Sequence, residues 1–130
     1  MNTKPISPKA HGIIDYGFAA ALLVLPQVLK LSKKSKKIYA VNAVNTVLYS
    51  AFTDYPLALK RIIPFGLHRT MDKRNVAALA LASLYPLLRN NKRALYFHIG
   101  VIAAALLAIS LTDWDAANER PQVALPFKSQ

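Results

Sequence analysis

The chain has 130 residues, of which 54% are hydrophobic and 18% charged, with 17 Lys and Arg against 6 Asp and Glu and no Cys. That length fits one domain, and the lack of Cys excludes disulfides, thiolate nucleophiles and Cys metal sites while leaving the redox compartment open. A formal net charge of +11 would suit nucleic acid if the bases shared one face of a recognisable binding fold; here they sit between apolar segments, so membrane lipids are the expected partner and nucleic acid is not.

Charge spacing says more than the mean hydropathy of +0.25. Residues 16–29, 38–53, 75–88 and 94–112 contain no Asp, Glu, Lys or Arg. A membrane span needs roughly 17–25 mostly apolar residues. Residues 94–112 reach that length unaided, the first interval reaches it with Asp15 included, and the third if it begins near Leu67. A soluble bundle would show a charged face on every helix, whereas "YGFAAALLVLPQVL" and "ALYFHIGVIAAALLAISLT" are apolar around most of their circumference. The expected fold is therefore all-α, an integral membrane four-helix bundle with spans at about 11–29, 38–54, 67–88 and 94–112.

In chain order, "MNTKPISPKAHGIIDYGFAAALLVLP" looks at first like a signal peptide. Its apolar stretch follows Asp15 and has no clear small-x-small cleavage site, so it reads as a retained first span, kinked by Pro26. "KLSKKSKK" follows as a basic loop. The second span carries Asn42 and Asn45, three apart and expected to meet neighbouring helices through interhelical hydrogen bonds. Pro56 and Pro64 bracket "LALKRII", an expected interfacial turn. The third span ends near Pro86, "RNNKR" turns the chain, and the fourth span follows. The tail "DAANERPQVALPFKSQ" is polar and is expected to be ordered only near its start.

Elements recur along the chain. "HGIID" at His11–Asp15 matches "HRTMD" at His68–Asp72 with an offset of 57, "TDY" at Thr53–Tyr55 matches "TDW" at Thr112–Trp114 with an offset of 59, and Pro26 and Pro86 are 60 apart. The preserved order predicts two helical hairpins, about residues 5–55 and 62–114. Each returns to its starting side, which puts His11, Asp15 and Asp54 level with His68, Asp72 and Asp113 at one membrane interface, in a parallel repeat.

The spacing of four puts each His and its Asp on one helix face. Neutral ring nitrogens of His11 and His68, with oxygens from Asp15, Asp54, Asp72 and Asp113, would suit Zn, Fe or Mn better than Ca. The Glu and Glu-x-x-His pattern of two-metal bundles is missing. The competing reading is architectural: Asp15 and Asp72 lie in first helical turns, where the helix dipole favours anions. Asp54 and Asp113 would then cap the next segment or pair with bases such as Arg61, and Tyr55 and Trp114 would serve as interface anchors. His98 starts the last span beside the opposite face, where contact with Tyr39 or headgroups is expected.

For function, a structural or interaction role for the polar His/Asp site is the first expectation. A transition-metal-binding protein or a metal-dependent enzyme acting on lipid is the second, with His11 or His68 as base. An oligomeric small-solute transporter is the third, since four short spans would need a homo-oligomer to enclose a path. No nucleophile elbow or Gly-rich phosphate cradle is present. Loops 30–37 and 89–93 carry 8 bases against 9 on the other side; their density beside the spans favours cytoplasmic loops and periplasmic termini. The "HGIIDY" and "TDY"/"TDW" signatures resemble those of small, uncharacterised four-span bacterial membrane proteins. That resemblance implies an inner-membrane location and no particular activity.

Overall fold

A computed structural model describes residues 4–116. Five helices form within them: α1 (Pro8–Val28), α2 (Lys33–Ala51), α3 (Phe65–Ala82), α4 (Pro86–Arg89) and α5 (Lys92–Leu111). The described chain is all-α and has no strand; its extended pairing is limited to isolated bridges between Ile6 and Thr112 and between Thr53 and Ile63. The tail beyond Ala116, on which an expectation was placed above, lies outside the described residues.

Local chemistry sets the helix ends. Ser7 caps α1 by accepting from the Ala10 N–H at 3.1 Å, and Pro8 follows at the first helical position, where a missing N–H costs nothing. The C-terminus closes when Leu31 N–H donates to Pro26 C=O and Lys30 N–H to Gln27 C=O. That paired closure needs a left-handed residue, and Lys30 supplies it at φ 52°. Pro26 stays inside the helix and is buried.

The second helix begins earlier than the charge pattern implies. Ser32 accepts from the Ser35 N–H, so Lys33, Lys34, Lys36 and Lys37 belong to the first turns of α2 and not to a loop. The third expected span is two helices. Pro86 disfavours helical geometry at the residue before it; Tyr85 is extended at φ −70°, ψ 130°, and α3 stops at Ala82. Asn91 caps α5 through the Ala94 N–H.

α1 packs along α2, and α3 along α5. Ala19 and Ala43 are buried in a core with Leu22, Tyr39, Leu79 and Val101. A second cluster of Tyr55, Phe65, Val76, Ile109 and Trp114 fills the end where the chain enters α1 and α3. Two helices, α1 and α5, are long and apolar enough to cross a membrane; α2 and α3 do not meet that measure. Part of their polar surface turns inward: Thr46, Tyr49, Ser50, His68 and Asp72 are buried, while Lys33, Lys34, Lys37, Lys73 and Arg74 are exposed. Asn42 Nδ2 donates to Asn75 Oδ1 at 2.7 Å, joining α2 to α3. Asn45 does not share that role: it is exposed, because three residues turn a helix 60° short of a full rotation and the inward stripe runs through Tyr39, Ala43, Thr46 and Ser50.

Candidate metal centre

His11 and Asp15 stand one turn apart near the start of α1, and His68 and Asp72 do the same on α3. The fold brings all four together. Each offers a ligand atom, and these atoms lie within 4.8 Å of one another. All four are buried, His68 completely and Asp72 to 7% exposure. His11 Nε2 is 3.3 Å from Asp15 Oδ1 and 3.1 Å from Asp72 Oδ2, while His68 Nε2 is 3.0 Å from Asp15 Oδ2 and 3.4 Å from Asp72 Oδ2. The two Nε2 atoms are 3.3 Å apart. Four ligands at zinc bond lengths of about 2.0–2.1 Å in a tetrahedron would be spaced about 3.3–3.4 Å apart, tighter than the 4.8 Å within which the four atoms lie.

The ring tautomers follow from two threonines. Thr53 Oγ1 donates its proton to Tyr49 C=O at 2.6 Å, and Thr112 Oγ1 donates to Ala108 C=O at 2.5 Å. A hydroxyl has one proton, so each oxygen is left only as an acceptor. The His68 Nδ1–H therefore donates to Thr53 at 2.7 Å, and the His11 Nδ1–H to Thr112 at 2.8 Å. Both Nε2 atoms then face the centre, carrying lone pairs when the rings are neutral. The carboxylates are held as well: Tyr49 O–H donates to Asp72 Oδ1 and Ser50 O–H to Asp15 Oδ2, each at 2.8 Å.

Aromatic rings close the outer side. Trp114 lies 4.9 Å from His11 and 4.7 Å from Phe65 between ring centroids, and its Nε1–H donates to Ile109 C=O. Tyr55 is fully buried beside His68. Desolvation, reinforced by the Asp15 carboxylate, raises the Tyr55 phenol well above its ordinary range. On the inner side a cavity of about 60 Å³ is lined by Asp15, Asp72, Tyr49 and Asn75 facing Ala104 and Ala108, large enough for a few waters.

The sequence expectation named six acids and histidines for one site, and the structure gathers four. Asp54 instead points to Arg61, 3.9 Å away, and Asp113 accepts from the Ala116 N–H at 3.1 Å. In extended backbone consecutive side chains take opposite sides. Thr53 and Thr112 face in, so the aspartate after each faces out. Tyr55 and Trp114, expected as interface anchors, are instead buried against the site. The repeated "TD" pairs did mark the site, through the threonine rather than the acid. Tyr49 and Ser50 carried no signal beyond lying one turn before that threonine. His98 lies apart: its Nε2–H donates to Leu79 C=O at 2.6 Å, and Nδ1 accepts from Tyr39 O–H at 2.9 Å.

Two charge states satisfy this geometry. With neutral rings, the buried group could hold a metal ion. With both rings protonated, it is a crossed set of ion pairs between α1 and α3. Either is neutral overall for a divalent ion, as a low-dielectric site requires. Comparison with known proteins found no matching family model, no matching curated protein and no matching solved structure.

Proposed function

We propose that this chain is a small integral membrane protein that holds one divalent transition-metal ion through His11, Asp15, His68 and Asp72 at one membrane interface. The observation that carries the reading is the opposed pair of Nε2 atoms at 3.3 Å, each aimed inward because its Nδ1–H is committed to a threonine. Two lone pairs repel across that gap; protonated rings would be held there by the Asp15 and Asp72 carboxylates, and one protonated ring beside one neutral ring would share an N–H···N hydrogen bond. A cation between them turns both into ligands. Zinc, iron and manganese accept such a mixed nitrogen and oxygen set, and four protein ligands suit retention of the ion more than an open catalytic position.

The threonines, Tyr49 and Ser50 then do the orienting that hydrogen-bonded partners do around bound metals. The protein part of the mechanism is positional. Thr53 and Thr112 fix the tautomers, the α2 hydroxyls steer the carboxylates, and Trp114, Tyr55 and Phe65 keep water out.

Four spans are part of the same proposal, arranged as two hairpins with a parallel repeat. Support comes from the exposed apolar belt: Val24 and Val28 on α1, Val44 and Leu48 on α2, Leu81 on α3, and Leu107 on α5 are all exposed. A water-soluble monomer rarely leaves so much contiguous apolar surface. Helices of 18 to 21 residues measure about 27–32 Å, close to the hydrocarbon thickness. Lys73 and Arg74 are exposed at the middle of α3, about 12 Å from either end, where a charge is costly in lipid unless water reaches it. A bacterial inner membrane, with the basic ends of α2 and α5 cytoplasmic, completes the reading.

The test is elemental analysis of protein purified in mild detergent, followed by melting with and without chelator. About one Zn, Fe or Mn per chain is expected. An ion at a thousandfold excess over its Kd adds about 4 kcal/mol to stability, so the chelator should lower Tm clearly. Metal-free protein whose Tm ignores both chelator and added metal would favour the ion-pair architecture instead.

A second expected outcome concerns the threonines. Thr53→Val or Thr112→Val removes the acceptor for a buried ring N–H and frees the tautomer. Metal affinity, read by competition with a chromophoric chelator, should fall about 10- to 100-fold, and Thr→Ser should restore it.

A further inference from the structure

The opposite end of the molecule holds a feature the metal centre does not use. A groove of about 770 Å³ opens between α2 and the α3–α4 junction, with Lys34, Lys37 and Val41 on one side and Leu81, Leu84 and Tyr85 on the other. Its apolar walls are open: Val41 is 62% exposed, Leu81 70% and Leu84 65%. Its volume is that of a ligand pocket, which runs about 300–1,000 Å³.

Charge identifies the occupant. Lys30, Lys33, Lys34, Lys36, Lys37, Arg89, Lys92 and Arg93 gather at this end through the starts of α2 and α5. Asp15, Asp54, Asp72 and Asp113 all belong to the other end, where Arg61 pairs with Asp54. Among the described residues no Asp or Glu stands at the basic end, where Arg93 donates to the Leu29 carbonyl. From Lys34 to Val41 the helix descends seven residues, about 10 Å, from a charged mouth to an apolar floor. A molecule that fits has an anionic head and a hydrocarbon tail.

We propose that this groove is a binding site for one anionic glycerophospholipid, its phosphate held by Lys34 and Lys37 and an acyl chain laid along Val41, Leu81 and Leu84. The inference rests on the membrane reading above and is independent of the metal. Lysines near an anionic surface contribute about 1 kcal/mol each, or about 5.4-fold in affinity, so the pair accounts for about thirtyfold.

Native mass spectrometry of the detergent-purified protein, mixed with phosphatidylglycerol or with phosphatidylcholine of the same acyl chains, tests it. Wild type should retain one phosphatidylglycerol and little phosphatidylcholine. Lys34→Gln/Lys37→Gln should lose about thirtyfold of that retention, Leu84→Trp should block it by filling the groove, and Lys60→Gln/Arg61→Gln at the other end should leave it unchanged. Unaltered melting of each variant guards against unfolding. Equal retention of both lipids, full retention by the double lysine variant, competition by inorganic phosphate alone, or a second copy of the chain seated in the groove would each overturn the assignment. Loss of lipid selectivity in a protein that still requires detergent would sink this site while leaving the membrane reading in place; a protein soluble without detergent would remove both.

Discussion

Replacing His11 and His68 together by alanine should reduce bound metal from about one ion per chain to background. Both nitrogen ligands disappear, and the two remaining carboxylates repel one another. The loss should far exceed the roughly 10- to 100-fold caused by removing an orienting partner. Stability falls as well, by about 3–5 kcal/mol, because Asp15 and Asp72 are left buried without a cation. That fall is common to the metal and ion-pair readings, so melting alone does not separate them. The chelator does. In the metal reading, chelation lowers the Tm of wild type and leaves the double variant unmoved. In the ion-pair reading, chelation moves neither. A companion variant with Leu at His11, Asp15, His68 and Asp72 sharpens the contrast: apolar replacement of a complete buried ion pair is commonly neutral or stabilising, whereas loss of a metal centre forfeits the energy the ion supplied. A double alanine variant that keeps stoichiometric metal would remove these four residues as its ligands.

Gly12→Ala should be the most damaging small substitution near the site. A Cβ at Gly12 would stand 2.5 Å from Tyr55 Cε2 and 3.1 Å from Leu57 Cδ1. The Tyr55 ring cannot swing away freely, since it is fully buried against both Phe65 and His68, at centroid distances of 6.1 and 5.9 Å. Either that ring or the first turn of α1 must shift, and His11 is the adjacent residue. Overpacking of this kind costs about 1–3 kcal/mol, against a helix-propensity gain of about 1 kcal/mol for replacing glycine. Gly17→Ala is the control, because nothing lies within 4 Å of its added Cβ; there the propensity gain should stand alone. Denaturant melts in detergent, with metal content measured in parallel, should therefore move in opposite directions for the two variants. If Gly12→Ala is as stable as Gly17→Ala, the close approach of Tyr55 to α1 is wrong.

Much of the arrangement could be read in one dimension. The charge-free intervals located α1, α2 and α5, but not α3, which begins ten residues before the third interval and carries Arg69, Asp72, Lys73 and Arg74. Histidine and aspartate four apart on α1 and α3 had to share a face by helix geometry alone. The offsets of 57 and 59 pointed to corresponding ends. What the intervals missed were the boundaries set by single side chains: Ser32 drew four lysines into α2, and Pro86 cut the third expected span in two.

Residue order by itself determined that this is a helical chain with two His/Asp pairs, one near the start of each repeated element, and with two basic segments, 30–37 and 89–93, that hold no acid. Only the tertiary structure decided which polar residues meet. Helical periodicity states which side chains share a face but not how far each helix is rotated about its axis, so Asn42 found Asn75 while Asn45 faced outward. The same freedom hid the crossed pairing, in which His11 of α1 binds the threonine after α5 and His68 of α3 binds the threonine after α2. Those contacts span 101 and 15 residues, and packing of the aromatic cluster around them, rather than any local rule, sets them.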